Sequence, residues 1–212
     1  MTEQYSYGQD YLYLNYLLEN TGRFSFDLRT ALRNYVRIYI PLELGTGSNI
    51  LDIGSCIGSL GHFLKYGGVN TYGIDLNIHA IRAGREIFGM EKANNSVVGN
   101  TVSLPFPNSS FDSIVSQDVL EHLTTSQLNC AFGEMARVLK PNKKRMFHKI
   151  TVLEDKGHID DDESHLTKWS TLQWCSFFRD CGWNVVGNPT RHFPIASDIS
   201  YGNFLIERSR IS

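Results

Sequence analysis

Long apolar runs are missing from this chain: nowhere does it approach the roughly 18 uninterrupted apolar residues that a membrane helix needs, so no membrane association is expected. Cysteine is scarce as well. Cys56, Cys130, Cys175 and Cys181 make no C-x-x-C pair and no zinc-type spacing. In a chain of 212 residues most of them read as small core residues, and a disulfide framework is not expected. Excess positive charge is also absent. Twenty Lys and Arg stand against 22 Asp and Glu, a net charge of −2, so no phosphate-neutralising footprint exists and nucleic acid is not an expected partner. The one basic cluster, Lys140, Lys143, Lys144 and Arg145, falls between a helical pattern and a strand. It reads as a solvated turn whose charges suit a helix C-terminus. The opening MTEQYSYGQD has neither a basic segment nor an apolar one, so no secretory signal is visible, and a cytoplasmic protein with a small-molecule substrate is expected.

What is present is alternation. Residues 1–42 carry apolar positions at helical spacing in Tyr11 to Leu18 and Leu28 to Ile40 and end at Pro41, so they read as an N-terminal helical cap. A single domain, 43–212, follows. Strands are expected near Ile50 to Ile53, Thr71 to Ile74, Ser96 to Val98, Ser113 to Val115 and Arg145 to Ile150. Helical patterns lie near Ser59 to Tyr66, Asn77 to Phe88 and Ser126 to Leu139. This order predicts an α/β fold with a mostly parallel sheet and helices on both faces. Beyond an acidic loop from Glu154 to His165 come a helix near Ser170 to Cys181, a strand at Trp183 to Val186, and a last strand at Asn203 to Ile206.

The densest information lies in NILDIGSCIGSLGHFLKYGGVNTYGID, Asn49 to Asp75: strand, glycine-punctuated turn, short helix, strand, acid. This is the order of a nucleotide-type cofactor site. A dinucleotide fingerprint, G-x-G-x-x-G, fails here because Cys56 and Ser59 stand where glycines belong, which disfavours an NAD-dependent oxidoreductase. A cofactor ending in an amino-acid carboxylate and amine needs less room than a pyrophosphate.

Four segments in order carry a resemblance: LDIGSCIG (Leu51 to Gly58), YGIDLN with Asp75, VVGNTVSLPFPNSSFDSIVSQDVLEHL (Val97 to Leu123) and ARVLKP (Ala136 to Pro141). Together they resemble the class I S-adenosylmethionine-dependent methyltransferases, in particular small-molecule enzymes similar to the ubiquinone and menaquinone methyltransferases. The resemblance implies a Rossmann-like seven-stranded sheet with its last strand antiparallel, S-adenosylmethionine as methyl donor and S-adenosylhomocysteine as product. It also implies a cofactor site built from Asp52, Gly54, Ser55, Gly58, Asp75, Leu76, Asn100, Thr101 and Gln117. Two departures from the family pattern concern turns: Cys56 for the middle glycine, and Pro141-Asn142-Lys143-Lys144 for a proline with two glycines.

Residue chemistry agrees, with alternatives. Asp75, 21 positions after Gly54, can accept both ribose hydroxyls or cap the next helix. Asp52 can orient the methionine amine or accept hydrogen bonds within the turn. Asn100, where the family has an acid, keeps an oxygen for the adenine amino group. Gln117 follows the fourth strand, where the family's backbone meets the methionine amine. For the acceptor's proton the bases available are His122 and His165. His122 could equally be a helix-start histidine satisfied by backbone. His158, Asp160, Asp161, Asp162 and His165 form an acidic loop, read as solvated with no metal, although such donors suit a divalent ion. Tyr5, Tyr7, Tyr11, Tyr13 and Tyr16 with Phe24 and Phe26 either anchor the cap or form a lid over the cofactor. A catalytically silent binding module with the same fold is the rival to an enzyme.

Overall fold

Uninterrupted apolar strands flanked by helical segments can be satisfied only when both faces of a sheet are covered. The computed structural model, which describes residues 38–88, 95–143, 145–153, 162–187 and 201–209, has that architecture. Its strands are β1 (Asn49–Ile53), β2 (Asn70–Asp75), β3 (Val97–Val98), β4 (Ser113–Gln117), β5 (Arg145–Thr151), β6 (Trp183–Gly187) and β7 (Tyr201–Arg208). The described helices are α1 (Ser59–Leu64), α2 (Ile78–Phe88), α3 (Thr125–Val138) and α4 (Thr171–Asp180), with 3-10 turns at Lys65–Gly67 and Leu120–His122. The elements expected from Ile50 onward are all found, with ends moved by one to a few residues. Residues 1–37, which contain most of the expected cap and all the tyrosines of the lid idea, lie outside the described residues, as do His158, Asp160 and Asp161.

The seven strands run in the order β3-β2-β1-β4-β5-β7-β6. Neighbours pair in parallel from β3 through β5, and β7 alone is reversed, antiparallel to both β5 and β6. Alternation along the strands sorts the core into two layers. Leu51, Ile53, Ile114, Met146 and Ile150 join Leu128, Phe132 and Met135 of α3 and Trp174 and Phe178 of α4 on one face. Ile50, Val115 and Phe147 meet Leu60 and Leu64 of α1, together with Ile38, Leu42 and Leu44, on the other.

Helix starts are written locally. Thr124 with Gln127 and Ser170 with Gln173 each form a reciprocal capping box, hydroxyl to amide and amide oxygen to the cap's own N–H, which fixes where α3 and α4 begin. A buried histidine, His148 of β5, shares a 2.8 Å hydrogen bond with Ser116 Oγ beneath Phe132 and Phe178. Burial drives its pKa down to about 3, so it is a neutral core residue.

Two readings change. Three of the cysteines are half-buried and Cys130 is exposed, so none of the four is a full core residue. The basic cluster is paired as well as solvated: Lys140 and Lys143 reach Asp112 at 2.9 and 3.9 Å, and Arg145 bridges Glu43 and Glu207.

Candidate active site

In an open sheet of this kind ligands sit beyond the carboxyl ends of the strands, where the strand order reverses, and here that point lies between β1 and β4. The turn leaving β1 is tight. Gly54 and Ser55 both donate their N–H to the Ile74 carbonyl at 2.8 and 3.1 Å, and Gly58 N donates to Ser55 O at 2.7 Å. Gly54 has φ +70°, and a Cβ there would stand 2.2 Å from Val119 Cγ2, so Val119, just past β4, is seated directly on this glycine. On the other side Gly84 of α2 lies so close to the Ile57 carbonyl that a Cβ would be 2.1 Å from it. The turn is thereby clamped between two elements.

Cys56 keeps the left-handed backbone that a glycine would adopt, with φ +50°. The family departure thus changes the side chain and leaves the path intact, at a cost of about 1–2 kcal/mol for a residue with a Cβ. Its thiol is partly buried and pushed up to about 11 by burial and by the neighbouring carboxylates of Asp75 and Asp52. Cys56→Gly is expected to hold or raise the free energy of unfolding by up to about 1 kcal/mol, since relief of strain is partly offset by a floppier unfolded chain. Urea denaturation would measure this, and a loss of 1 kcal/mol or more would show that the thiol is needed.

Asp75 closes the unit. One carboxylate oxygen accepts Cys56 N–H at 2.8 Å and the other accepts Asn77 N–H at 2.8 Å. The helix cap is Asn77, whose Oδ1 takes the amides of His79 and Ala80, so the capping alternative for Asp75 is withdrawn. Each Asp75 oxygen retains lone-pair capacity for a ribose hydroxyl. Leu76, next in sequence, is 58% exposed, an apolar surface beside that carboxylate.

The remaining expected cofactor residues lie on β1, in the turn after it, or near the carboxyl ends of β3 and β4. Asp52, on β1, is buried, and burial followed by repulsion from Asp75 raises its pKa to about 8. Thr101, just after β3, buries a hydroxyl that has no hydrogen-bond partner among the described residues. Asn100 Oδ1 takes the amide of Val102 at 3.1 Å and so holds its own loop. Ser55 turns inward, its Oγ 3.4 Å from Ser96 Oγ, leaving its contribution to backbone. Gln117, half-buried, ends β4.

Two further loops meet beyond β4 and β5. His122, in the 3-10 turn after β4, and His165, in the segment after β5, are far apart in the sequence. Their rings meet edge to face at 4.7 Å. Thr167 ties the two loops together: its N–H donates to Glu121 O at 2.9 Å and its Oγ1 to Leu123 O at 2.6 Å. Glu121 is a residue that the sequence reading overlooked. It is buried, one oxygen accepts Thr151 N–H at 2.7 Å, and the other has no partner among the described residues. Burial raises its pKa. The signal available in sequence was an acid inside the otherwise apolar run VLEHL. Among the described residues no group of three or more His, Cys, Asp and Glu side chains is placed to hold a metal.

A dinucleotide-binding sheet ends in parallel strands and seats a pyrophosphate on a second glycine. This sheet ends instead in an inserted reversed strand, the strand order of the class I S-adenosylmethionine-dependent methyltransferase fold. Residues 51–147 match the methyltransferase domain family. The probable tRNA methyltransferase 9B of Homo sapiens is 28% identical over 193 residues, covering 86% of this chain and 40% of its own length. The phosphoethanolamine N-methyltransferase of Plasmodium falciparum is 31% identical over 135 residues, 61% of this chain and 49% of its own. This chain therefore spans half or less of these curated relatives. In fold it is similar to a SAM-dependent methyltransferase from Aquifex aeolicus, with a TM-score of 0.67 over 96% of this chain and 100% of that one at 16% identity.

S-adenosylmethionine is the methyl donor of this class, and the residues present suit it. A buried carboxyl at Asp52 fits a cationic amino-acid end, Asp75 fits a ribose, and the exposed Leu76 and the orphaned Thr101 hydroxyl fit a flat heterocycle with polar edges.

Proposed function

We propose that this chain transfers the methyl group of S-adenosylmethionine to a small or medium organic acceptor by in-line displacement, with the His122 and His165 pair receiving the acceptor's proton. The observation that carries this reading is the meeting of the two rings at 4.7 Å beyond the ends of β4 and β5, on the same edge as the Gly54 turn. When bound, the cofactor supplies an activated sulfonium methyl, attacked by an acceptor lone pair as the carbon–sulfur pair leaves on sulfur. Asp75, Leu76, Thr101, Asn100 and Gln117 would hold the donor, Asp52 would serve its cationic end, and alignment would supply much of the acceleration. The proton released by a hydroxyl or ammonium acceptor passes to imidazole and then to solvent.

A small acceptor is supported by the net charge of −2 and by the ion pairs that engage Lys140, Lys143 and Arg145. The phosphoethanolamine relative points the same way. The end of the proposed cap, residues 1–42, is anchored by Ile38 and Leu42 in the core. Free cysteines support a reducing, cytoplasmic setting. No described helix is long and apolar enough to cross a membrane.

The test is mass spectrometry with deuterated-methyl cofactor and a panel of amino alcohols, their phosphate esters, hydroxylated aromatics, sterols and tRNA. Label in a small molecule is expected. Label in tRNA alone, the acceptor class named for the human relative, would overturn the acceptor reading. Cofactor binding without any product would return the silent-module alternative. With a labelled acceptor in hand, His122→Ala should cut kcat by about 10²-fold or more at unchanged cofactor affinity, in the range for a lost general base. Unaltered turnover would remove the histidine pair from the mechanism.

A further inference from the structure

We propose that Asp162 and Ser164 lock the tautomer of His122, so that Nε2 is the atom that takes the acceptor's proton. This rests on the reading of His122 as the base, but its first test needs no turnover.

Two oxygens face His122 Nδ1: the Ser164 carbonyl at 3.1 Å and Ser164 Oγ at 3.2 Å. A carbonyl can only accept. The Ser164 hydroxyl gives its hydrogen to Asp162 Oδ1 at 2.5 Å, so toward the imidazole it too presents a lone pair. A neutral histidine with two acceptors at Nδ1 carries its hydrogen there, and its basic lone pair is then on Nε2. Nothing else in the neutral ring's chemistry satisfies both contacts.

Asp162 is what makes Ser164 present these oxygens. Its Oδ1 also accepts Ser164 N–H at 2.8 Å, its carbonyl accepts His165 N–H at 3.2 Å, and its Oδ2 lies 3.6 Å from His165 Nε2. The hydrogen bonds from Ser164, with the nearby histidines, hold its carboxyl below the usual carboxylate range, against a smaller opposing effect of burial. The turn is not adrift, because Thr167 fastens it to the backbone of Glu121 and Leu123.

When Nε2 takes the proton, Nδ1–H stays on Ser164 and both nitrogens become donors. Among the described residues, Asp162 and His165 from this turn and Glu121 from the β4 loop face the resulting imidazolium. Asp162 and Ser164 therefore act through His122, as positioning residues.

Nitrogen-15 NMR of the ligand-free full chain, histidine-labelled and held where the imidazole is neutral, reads the tautomer directly, with His122→Gln assigning the signal. A protonated Nδ1 and a bare Nε2 are expected; a protonated Nε2 overturns the proposal. Asp162→Asn keeps the size of the side chain and removes its charge. It should mix the two tautomers and lower kcat about tenfold at unchanged cofactor KM. A tautomer left as it is in the wild type would overturn the role of Asp162. Ser164→Ala, which keeps the carbonyl, should retain Nδ1–H with a loss in kcat smaller than that of Asp162→Asn, and an equal or larger loss would overturn the assignment to the carbonyl. Failures are separable. Full turnover by His122→Ala removes the base itself, whereas loss of turnover with Nε2–H in the wild type removes only the lock.

Discussion

Asp75→Ala is expected to weaken S-adenosylmethionine binding by about 10²-fold or more and to cost on the order of 2 kcal/mol of folding stability. The carboxylate ends β2 and does two jobs at once. Its oxygens accept the amides of Cys56 and Asn77, each at 2.8 Å, and so pin the cofactor turn to the start of α2. Hydrogen bonds to a charged acceptor contribute about 1.5–3 kcal/mol each, less where solvent reaches them, as it does at this half-buried residue. Removing them leaves Cys56 without the contact that holds its left-handed backbone, and removes the proposed ribose acceptor in the same step. Asp75→Asn is nearly as damaging in binding, because its NH2 must face one of two N–H donors. Calorimetry with cofactor and urea titration of the free protein would measure the two effects. Wild-type affinity in Asp75→Ala would sink the assignment to the ribose.

Asp52→Asn is expected to do the opposite to stability while also weakening cofactor binding. Burial and the charge on Asp75 lift the Asp52 pKa from 3.8 to about 8. A folded pKa above the unfolded one means that the folded chain binds the extra proton. The stabilising contribution is complete below about pH 4 and is lost as pH rises toward 8, at about 1.4 kcal/mol per unit. The asparagine variant has no such proton to lose. It should therefore match the wild type near pH 4 and exceed it by a few kcal/mol at pH 8, in urea midpoints at the two values. A cationic ligand end reverses the preference by favouring the ionised form, so wild-type binding at pH 7 should release a proton from the protein. Calorimetry in buffers of different ionisation enthalpy, compared between wild type and Asp52→Asn, isolates that proton from any lost by the ligand's own amine. Equal proton release by both proteins, or equal stability at pH 8, would refute the role of Asp52.

Both predictions depend on positions that were conspicuous in sequence but whose chemistry was not. The alternation of apolar runs and helical patterns placed the strands and helices, because hydrophobic period and capping residues such as Thr124 and Ser170 act within a few residues of chain. Asp75 stood out by its spacing after Gly54. Its grip on two backbone amides did not, since those bonds exist only once β2 lies beside β1. Cys56 read as a departure from a glycine pattern; only the fold shows that the backbone still takes φ +50° and that the substitution is absorbed as strain. The lysines near Lys140 read as solvated turn charges, and Asp112, Glu43 and Glu207 are brought to them from distant positions. Glu121 carries no signal beyond an acid in an apolar run, whose purpose shows only when Thr151 of β5 and Thr167 of the loop after it arrive beside it.

The sequence by itself determined the sheet's composition, the helix starts, the cofactor turn and the two histidines, all of which follow from local spacing and side-chain type. The tertiary structure decided what those residues do to one another: that Val119 seals Gly54, that Asp52 is buried beside a second carboxylate, and that His122 and His165 share one edge with Ser164 and Asp162 between them. Such pairings join residues separated by long stretches of chain. Their energies arise from burial and hydrogen-bond direction, which no local pattern encodes.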